Sequence, residues 1–569
     1  MMRMDPQELL SLCKRRGFLW PAYDIYGAVA GLYDYGPLGA ALKSNIENHW
    51  RSLYVLGEGF QEISCPIVAP EPVFKASGHV DAFSDMYVEC TNCGETYRAD
   101  HLATDLHPNP ASLSESELGR LLKEKGVKCS ECKGELTEPK RFNLMFKTSI
   151  GAGKGKTAYL RPETAQGMFV NFAQVYRYGR ERLPVGAVQI GRSFRNEISP
   201  RQGLIRLREF NMMEAELFVH PEDKSWPRFK DVRGEILSLV PNEGGPSDLS
   251  LADAVSKGVI RNEVLAYFMW LTWKFAVDIG LDSKRLRFRQ HLKTEMAHYA
   301  SDCWDLEAEI GYGWTEIVGV ADRGSYDVQA HINHSGAELV AFERFEEPRE
   351  VETDVVRPNF GALGPLFKGK AKQVAEALSK LDIGTVRGKD KVTVDVGGEK
   401  HVVPASCFDV VRKKEKVSGR KLVPHVIEPS YGLDRILFSV LDHAYSKKED
   451  DYIVLRLKAL AAPIKVGVFP LMPRDGLDTI ATEIFDSLTM RGYTAYYDDS
   501  GSIGRRYARM DEVGTPCCIT VDYDTKTDGA VTVRDRDSTE QVRIKMENVA
   551  EAVAAIVSGA PFSSLKGMK

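Results

Sequence analysis

The sequence predicts an α+β protein in which a β-sheet domain precedes a smaller α/β domain. In residues 185–217, apolar and polar side chains alternate on both sides of a loop that contains Pro200 and Gly203, which indicates an antiparallel hairpin. Beyond about residue 463, short strand patterns such as KVGVF and CCITV alternate with helical stretches. That alternation is typical of a βαβ domain.

The predicted hairpin has one apolar face and one charged face. The charged face is formed by Arg195, Glu197, Arg206, Arg208, Phe210, Glu214 and Glu216. At about 3.3 Å per residue, Phe210 and Glu214 lie roughly 13 Å apart, so a nucleotide base can stack on one while a second ligand meets the other. A hairpin whose charged face is merely solvated would alternate in the same way. The order of arginines, aromatic ring and carboxylates favours a nucleotide site.

The composition is ordinary for a chain of several domains. The chain has 569 residues, of which 43% are hydrophobic and 27% charged. Its net charge of -5 does not by itself indicate a nucleic-acid partner, which would need local basic patches. No apolar run approaches the ~20 residues of a membrane span, and the N-terminus is too polar for a signal peptide. We therefore expect a cytoplasmic protein without a membrane partner.

Two CxxC pairs have the spacing of tetrahedral Zn²⁺ ligands. They are Cys90 with Cys93 and Cys129 with Cys132, and a glycine follows each pair closely. In a reducing compartment these cysteines are expected to be thiols or metal ligands and not disulfides. A site with four cysteine ligands is closed, so we expect a structural zinc ion. The alternatives are two reduced knuckles without metal, or His101 as a substitute ligand.

Two other stretches are candidates for phosphate contacts. The predicted helix 502–513 carries Arg505, Arg506 and Arg509, which form a candidate phosphate-contacting cluster, although a solvated helix face explains them nearly as well. The glycine-rich stretch 151–157 is not a P-loop, because that pattern requires glycine where Ile150 stands.

Three ordered motifs resemble those of the class II aminoacyl-tRNA synthetases. GFQEISCPIV (59–68, with Pro66) is similar to motif 1, residues 194–218 to motif 2, and HVIEPSYGLDRILFSVL (425–441, with Arg435) to motif 3. Four further blocks resemble glycyl-tRNA synthetases of the homodimeric, archaeal and eukaryotic type, namely residues 20–46, 159–169, 288–305 and 313–327. The resemblance implies an antiparallel β-sheet catalytic core with helices and insertions, a C-terminal α/β anticodon-binding domain, and a homodimer.

The resemblance also sets the expected domain limits. The catalytic domain would span residues 1–457 and the anticodon-binding domain residues 463–569. Three segments inside the first domain are interpreted as insertions, because the motifs that flank them belong to one site. They are residues 85–145, 222–285 and 346–424.

The resemblance implies that glycine and ATP form glycyl-adenylate and pyrophosphate, and that the glycyl group then passes to the 3′ end of tRNA(Gly). ATP, with Mg²⁺, would be bound by Arg195, Asn196, Glu197, Arg206, Leu207, Phe210, Glu316, Ile317 and Arg435. Of these, Arg195 and Arg435 would act catalytically on the α- and γ-phosphates, and Glu316 is a candidate Mg²⁺ ligand. Glycine would be bound by Glu163, Glu214, Glu428, Pro429 and Ser430. Their oxygens can accept the three donors of an ammonium group.

Two rival functions remain open. A synthetase for another small amino acid, such as serine, proline or threonine, would share the three motifs, although RPETAQG and EMAHYASDCWD favour glycine. A non-catalytic nucleic-acid-binding paralogue would keep the fold but would have lost Arg195, Arg435 or the carboxylates, and all of these are present.

Overall fold

A computed structural model describes residues 5–200, 202–292, 301–447 and 452–568. The chain forms two compact units. The first combines Met1–Leu339 with Val423–Lys569, and the second is Val340–Leu422. Part of the predicted glycyl-type block 288–305, residues 293–300, lies outside the described residues.

In the described part of the first unit, a nine-stranded sheet forms the centre. Its spatial order is Ser247–Ser250, Ile236–Val240, Leu286–Gln290, Asp302–Ile310, Gly313–Gly324, His425–Gly432, Glu209–Val219, Val185–Phe194 and Gln61–Glu62. Neighbouring strands run antiparallel except at two places, where Ile236–Val240 meets Leu286–Gln290 and where Val185–Phe194 meets Gln61–Glu62. The predicted α+β class with an antiparallel core is confirmed.

The predicted hairpin is confirmed, with one difference in its second strand. Val185–Phe194 pairs antiparallel with Glu209–Val219. The sequence pattern extended the second strand back to residue 205, but Gly203–Ile205 form a 3₁₀ turn. Arg208 donates its backbone N–H to Gly31 O at 2.8 Å, so the chain pairs here with the N-terminal segment.

That N-terminal segment approaches the hairpin loop closely at one glycine. Gly31 has a φ of +78°, and a Cβ added there would lie 2.7 Å from the ring of Pro200. A side chain at this position would therefore push the loop away. The guanidinium of Arg208 also donates to Ala30 O, at 2.7 Å. Arg208, predicted on the charged face, thus fastens the loop to the N-terminal segment.

One apolar core covers the face of the central sheet that lies opposite the charged face. Met213, Ala215 and Leu217 belong to it, as does the helix Glu263–Asp278, which is buried on most sides. The helices of this part are Pro6–Arg16, Pro37–Arg51, Glu71–Ala76, His79–Ala82, Ala165–Val170, Phe172–Tyr178, Phe229–Val232, Leu251–Ser256, Glu263–Asp278, Tyr326–Ser335 and Leu433–Ala444. None of the helices among the described residues has the length and apolar character needed to cross a bilayer.

A small lobe carries the paired cysteines. Its three strands are Ser84–Glu89, Thr96–Arg98 and Lys140–Asn143, and its helices are Ala99–Leu102 and Glu115–Glu124. A second small sheet follows it, with the strands Val68–Pro70, Lys147–Ile150 and Lys156–Leu160. The glycine-rich stretch rejected as a P-loop is the turn between the last two strands, and no helix follows it directly among the described residues.

The unit Val340–Leu422 has a core of its own. Two long strands, Ala341–Pro358 and Phe408–Leu422, pair antiparallel, and Lys391–Val396 forms a hairpin with Glu399–Pro404. Its helices are Phe360–Phe367, Ala371–Ser379 and Ile383–Val386.

The C-terminal region has the predicted α/β pattern. Its strands, in spatial order, are Ala495–Tyr497, Val466–Pro470, Cys517–Val521, Ala530–Asp535 and Gln541–Lys545. The first three are parallel and the last two add antiparallel pairs. The helices Leu477–Met490, Ile503–Val513 and Val549–Val557 accompany them.

The structure contradicts the predicted phosphate-contacting cluster on the helix Ile503–Val513 for Arg506, which is buried. Arg506 is only 2% exposed and donates to Gly501 O at 2.9 Å, because backbone carbonyls enclose its guanidinium. Arg509 pairs with Asp498. Of the three arginines, Arg505 alone keeps an exposed side chain.

Candidate active site

A pocket opens over the charged face of the central sheet. All predicted ATP-binding residues except Asn196 line it, as does Ser430. The hairpin, the two strands beside it and the first turn of the helix Leu433–Ala444 supply these side chains. Asn196 donates its backbone N–H to Leu144 O at 2.7 Å, which ties the hairpin loop to the chain before it. The fold thus assembles in one place motifs that are far apart in sequence.

Arg195 follows the first hairpin strand, and its guanidinium lies between two aromatic rings. Its Cζ atom lies 5.4 Å from the ring centroid of Phe210 and 5.3 Å from that of Phe83. Its Nε donates to the backbone oxygen of Pro162 at 3.3 Å. These contacts orient a planar set of donors in the pocket, which suits a phosphate group better than a flexible ammonium would.

Arg435 reaches the pocket from the first turn of the helix Leu433–Ala444. Its Nη1 donates to Glu316 Oε2 at 3.1 Å and to the backbone oxygen of the same residue at 3.0 Å. The neighbouring Asp434 accepts hydrogen bonds from the backbone and the side chain of Asn211. These hydrogen bonds fix the start of the helix against the hairpin, and they therefore fix the position of Arg435 relative to Arg195.

Glu197 offers a buried acceptor in the same pocket. Its Oε2 atom is buried and makes no hydrogen bond within the described part of the chain, while Arg206 Nε lies 3.6 Å away. A buried acceptor of this kind requires a donor, which a ligand can supply. Phe210, on the next strand, has its ring in the same pocket. The amino group of a base stacked on that ring is such a donor.

The predicted glycine-binding side chains meet deeper on the charged face. Ser430 Oγ donates to Glu214 Oε1 at 2.6 Å, and the backbone N–H of Thr164 donates to the other oxygen at 2.8 Å. Glu428 precedes Ser430 by two residues and therefore lies on the same face of its strand. Pro429 lies between them, so its ring points to the apolar face and only its backbone can serve the pocket.

Glu163 joins this group from the segment before the helix Ala165–Val170. Its Oε1 accepts from Gln166 Nε2 at 2.9 Å, and His79 Nε2 lies 3.5 Å from Oε2. Burial would raise the pKa of the Glu163 carboxyl, but His79, Arg323 and Gln166 together hold it well below its usual value. Glu163 is therefore ionised at neutral pH.

The two other carboxyls of the glycine set have raised pKa values. Burial, and then the charge of Glu163, raise the pKa of Glu214 above its usual value. Burial raises the pKa of Glu428 to about 7, with further contributions from Glu214 and Glu163 and against the opposing effect of Arg323. Acids gathered in this way repel one another, and a cation entering the pocket would relieve the repulsion.

Comparison with known proteins identifies the family. The chain matches the model of the tRNA synthetase class II core domain (G, H, P, S and T) over residues 146–444 and that of the anticodon binding domain over residues 465–556. It is 49% identical to a glycine–tRNA ligase of Methanothrix thermoacetophila, over 99% of both chains. It is 48% identical to a glycine–tRNA ligase of Archaeoglobus fulgidus, over 95% of both chains. The chain belongs to the glycine–tRNA ligase family.

A solved structure supports the fold of this glycine–tRNA ligase family member. A prolyl-tRNA synthetase of Giardia lamblia in complex with prolyl-adenylate matches with a TM-score of 0.54 and 13% identity. The match covers 100% of this chain and 82% of the other. At that identity the likeness concerns the class II fold alone.

Arg323 is the main residue of the ligase pocket that the sequence patterns did not single out. Its Nη1 donates to Glu428 Oε2 at 2.7 Å, and its Nε and Nη2 donate to the carboxylate of Asp327 at 2.8 and 2.9 Å. Gln166 Nε2 connects Asp327 to Glu163 with contacts of 3.2 and 2.9 Å. One network therefore joins the carboxyls from three segments. In the sequence it appears only as an arginine near the end of the strand Gly313–Gly324, within the glycyl-type block 313–327.

The four cysteines of the ligase's small lobe meet. The Sγ atoms of Cys90 and Cys132 lie 3.4 Å apart and those of Cys93 and Cys129 3.6 Å apart. Four sulfurs around a tetrahedral Zn²⁺ at about 2.3 Å lie roughly 3.8 Å from one another. A Cβ added to Gly134 would lie 3.0 Å from Cys90 Sγ, so the knuckle leaves no space for a side chain there. The arrangement fits a tetrahedral metal.

Hydrogen bonds favour thiolates at two positions of this cluster. The contact between the Tyr97 hydroxyl and Cys129 Sγ lowers the pKa of the Cys129 thiol to about 6. The side-chain amide of Asn92 lowers the pKa of Cys132. His101, the alternative ligand, lies beside Arg206 and is not a member of the four-cysteine group.

Proposed function

We propose that this chain activates glycine with ATP and transfers the glycyl group to the 3′ end of tRNA(Gly). The observation that carries the proposal is that Glu163, Glu214 and Glu428 lie close enough to shift one another's pKa values and that Ser430 donates to Glu214, beside the pocket that Arg195 and Phe210 line. A small ammonium fits the first group and a nucleotide the second. The reaction needs no covalent enzyme intermediate, so positioning and charge stabilisation suffice.

The nucleotide half of the site stabilises charge on ATP. Arg195 binds the α-phosphate, where negative charge grows as the glycine carboxylate attacks, and Arg435 binds the γ-phosphate. Phe210 stacks on adenine, a contact worth about 1–3 kcal/mol, and Glu197 accepts from the adenine amino group. The half-exposed carboxylate of Glu316 fits Mg²⁺, which typically binds one or two carboxylates together with phosphate oxygens. When bound, Mg²⁺ neutralises phosphate charge.

The glycine half of the site is proposed to recognise the ammonium group and to exclude amino acids that carry a side chain. The three donors of the ammonium bind to the carboxylates of Glu163, Glu214 and Glu428, and Ser430 holds Glu214 in place. Selection works by exclusion, because a larger amino acid would clash with the pocket wall.

The affinity for glycine should rise with pH. The pKa of Glu428 is raised to about 7, so the carboxyl is ionised above this value and neutral below it. Only the ionised form attracts an ammonium. We expect the KM for glycine to increase by about three- to tenfold between pH 8 and pH 6, while the KM for ATP changes little. Steady-state pyrophosphate exchange measured between pH 6 and pH 8 tests this pH dependence. A KM for glycine that falls towards pH 6 would contradict the proposed role of Glu428.

The four-cysteine cluster is proposed to hold a structural Zn²⁺. Elemental analysis of the purified chain should find about one zinc per chain. The double change Cys129→Ser/Cys132→Ser should release the metal and make the lobe between Ser84 and Asn143 sensitive to protease, because structural zinc sites contribute directly to folding. Cys65→Ser, which changes a cysteine outside the cluster, should retain the metal. Full zinc content in the double variant would refute this site.

The experiment that tests the function compares amino acids in the ATP–pyrophosphate exchange reaction. Glycine alone should support exchange, and tRNA(Gly) should then accept the glycyl group. Exchange driven by serine, proline or threonine and not by glycine would show that the chain is a synthetase of the same class for another amino acid. Absence of exchange with every amino acid would favour the non-catalytic paralogue.

We further propose a cytoplasmic homodimer with two functional domains. Residues 1–457 form the catalytic domain and residues 463–569 the anticodon-binding domain. The dimer is proposed from the motif 1 resemblance around Pro66, and light scattering on the intact chain tests it.

A further inference from the structure

Glu216 is a buried acid that no donor satisfies. It lies two residues after Glu214 in the same strand and therefore on the charged face of the sheet. Its side chain is 0% exposed, and both carboxyl oxygens lack a hydrogen-bond partner among the described residues. A buried ionised carboxyl is costly unless a donor, a cation or a proton compensates it.

The groups that face Glu216 are themselves mostly acids. One carboxyl oxygen from each of Glu214, Glu216 and Glu428 lies within 4.8 Å of the other two. In the strand register Leu217 pairs with Ile427, so Glu216 stands directly opposite Glu428. On its other side Glu216 pairs with Ala187, whose side chain carries no donor.

The nearest cation is engaged elsewhere. Arg323 directs Nη1 to Glu428 and its Nε and Nη2 to Asp327. It attracts Glu216 through space but makes no hydrogen bond to it in the described part of the chain. Burial, and then the charge of Glu428, raise the pKa of Glu216 well above its usual value. A proton is therefore the compensating group that remains for Glu216.

We infer that Glu216 works as a neutral carboxylic acid whose O–H is donated to Glu428, so that it holds this carboxylate in position for the ammonium group of glycine. The inference rests on the glycine site proposed above. One shared proton satisfies an oxygen of Glu216 and removes the repulsion between two acids that face each other across neighbouring strands. Glu216 is then a positioning residue that acts through Glu428 and does not contact the substrate.

The test compares Glu216→Gln with Glu216→Ala in glycine-dependent pyrophosphate exchange. Glutamine keeps the shape and donates from a neutral amide, so the KM for glycine should stay within about threefold of wild type. Alanine removes the donor, so the KM for glycine should rise at least roughly tenfold while kcat and the KM for ATP stay within about threefold. If glutamine is as harmful as alanine, Glu216 is an ionised ligand and the inference fails. It fails equally if alanine has no effect.

A second variant separates this inference from the proposed glycine site. Glu214→Gln removes an ionised ligand and should raise the KM for glycine by roughly 100-fold. A KM for glycine equal to that of wild type in Glu214→Gln would show that the proposed glycine site is wrong, independently of the role of Glu216. A raised KM in Glu214→Gln together with a harmful Glu216→Gln would overturn only the inference.

If the alanine variant does not fold, infrared spectroscopy tests whether the Glu216 carboxyl is protonated. The difference spectrum between wild type and Glu216→Gln should contain the C=O band of a protonated carboxylic acid at neutral pH. A difference that contains only carboxylate bands would overturn the inference.

Discussion

Replacing Arg195 with alanine is expected to lower glycine-dependent pyrophosphate exchange by about 10³-fold or more. The guanidinium lies beside the rings of Phe210 and Phe83, where its donors can bind the oxygens of the phosphate that glycine is proposed to attack. Arginines that stabilise transferring phosphoryl groups are worth about 10³–10⁵ in rate. The loss should appear in kcat and persist at saturating glycine, because the contact strengthens in the transition state.

Arg192→Ala is the matched control for this change. Arg192 lies on the strand that precedes Arg195, is exposed and pairs with Glu209 outside the pocket. It should retain exchange within about twofold, since exposed ion pairs contribute little. Both variants should keep the oligomeric state of the wild type. Full exchange activity in Arg195→Ala would refute the role of this residue.

Replacing Arg323 with methionine is expected to lower the free energy of unfolding by about 3–5 kcal/mol, because it leaves buried acids without their cation. Arg323 is 5% exposed and donates to Glu428 and Asp327, which are 6% and 3% exposed. The variant should also lose glycine-dependent exchange. Urea unfolding at pH 8 measures the stability change.

The cost of losing Arg323 should diminish as the pH falls. The folded-state pKa of Glu428 is already raised to about 7, and removing Arg323 raises it further. An acid whose pKa is higher in the folded state destabilises that state as the pH rises through this range, so the deficit is larger at pH 8 than at pH 6. The control is Arg141→Met, which breaks an exposed pair with Glu115 and should cost at most ~1 kcal/mol. Equal losses in the two variants would contradict the network.

Alternation along the hairpin was sufficient to predict which side chains share the charged face. The period of two placed Phe210 and Glu214 on one side of the strand, and the register confirms that arrangement. It was not sufficient for residues 205–208, because Arg208 pairs with Gly31, which lies far away in sequence. A local pattern carries no information about such a partner.

The charge state of the pocket was not visible in the sequence either. Glu216 was placed on the correct face, but its lack of donors follows from the position of Glu428, which the sheet brings opposite it. The sequence does not mark Arg323 as buried, because a single arginine at the end of a strand usually reaches solvent. For Arg506 the helix pattern predicts an exposed side chain that could contact phosphate, but backbone carbonyls enclose it.

In the cysteine cluster, the sequence pattern itself identifies which residues come together. The CxxC spacing restricts each pair to one knuckle, and bringing two knuckles together is the only step that the fold has to supply. The structure places all four sulfurs within 4.8 Å of one another. Glu197, proposed to accept from adenine, and the acids proposed to bind the ammonium group have no comparable local constraint.

A crystal structure with a non-hydrolysable sulfamoyl analogue of glycyl-adenylate tests the proposed site most directly. We expect adenine stacked on the ring of Phe210, the sulfamoyl group at the Arg195 guanidinium, and the ammonium nitrogen within hydrogen-bond distance of Glu214 and Glu428. An ammonium held elsewhere, with these carboxyls still bonded only to Ser430, Thr164 and Arg323, would contradict it.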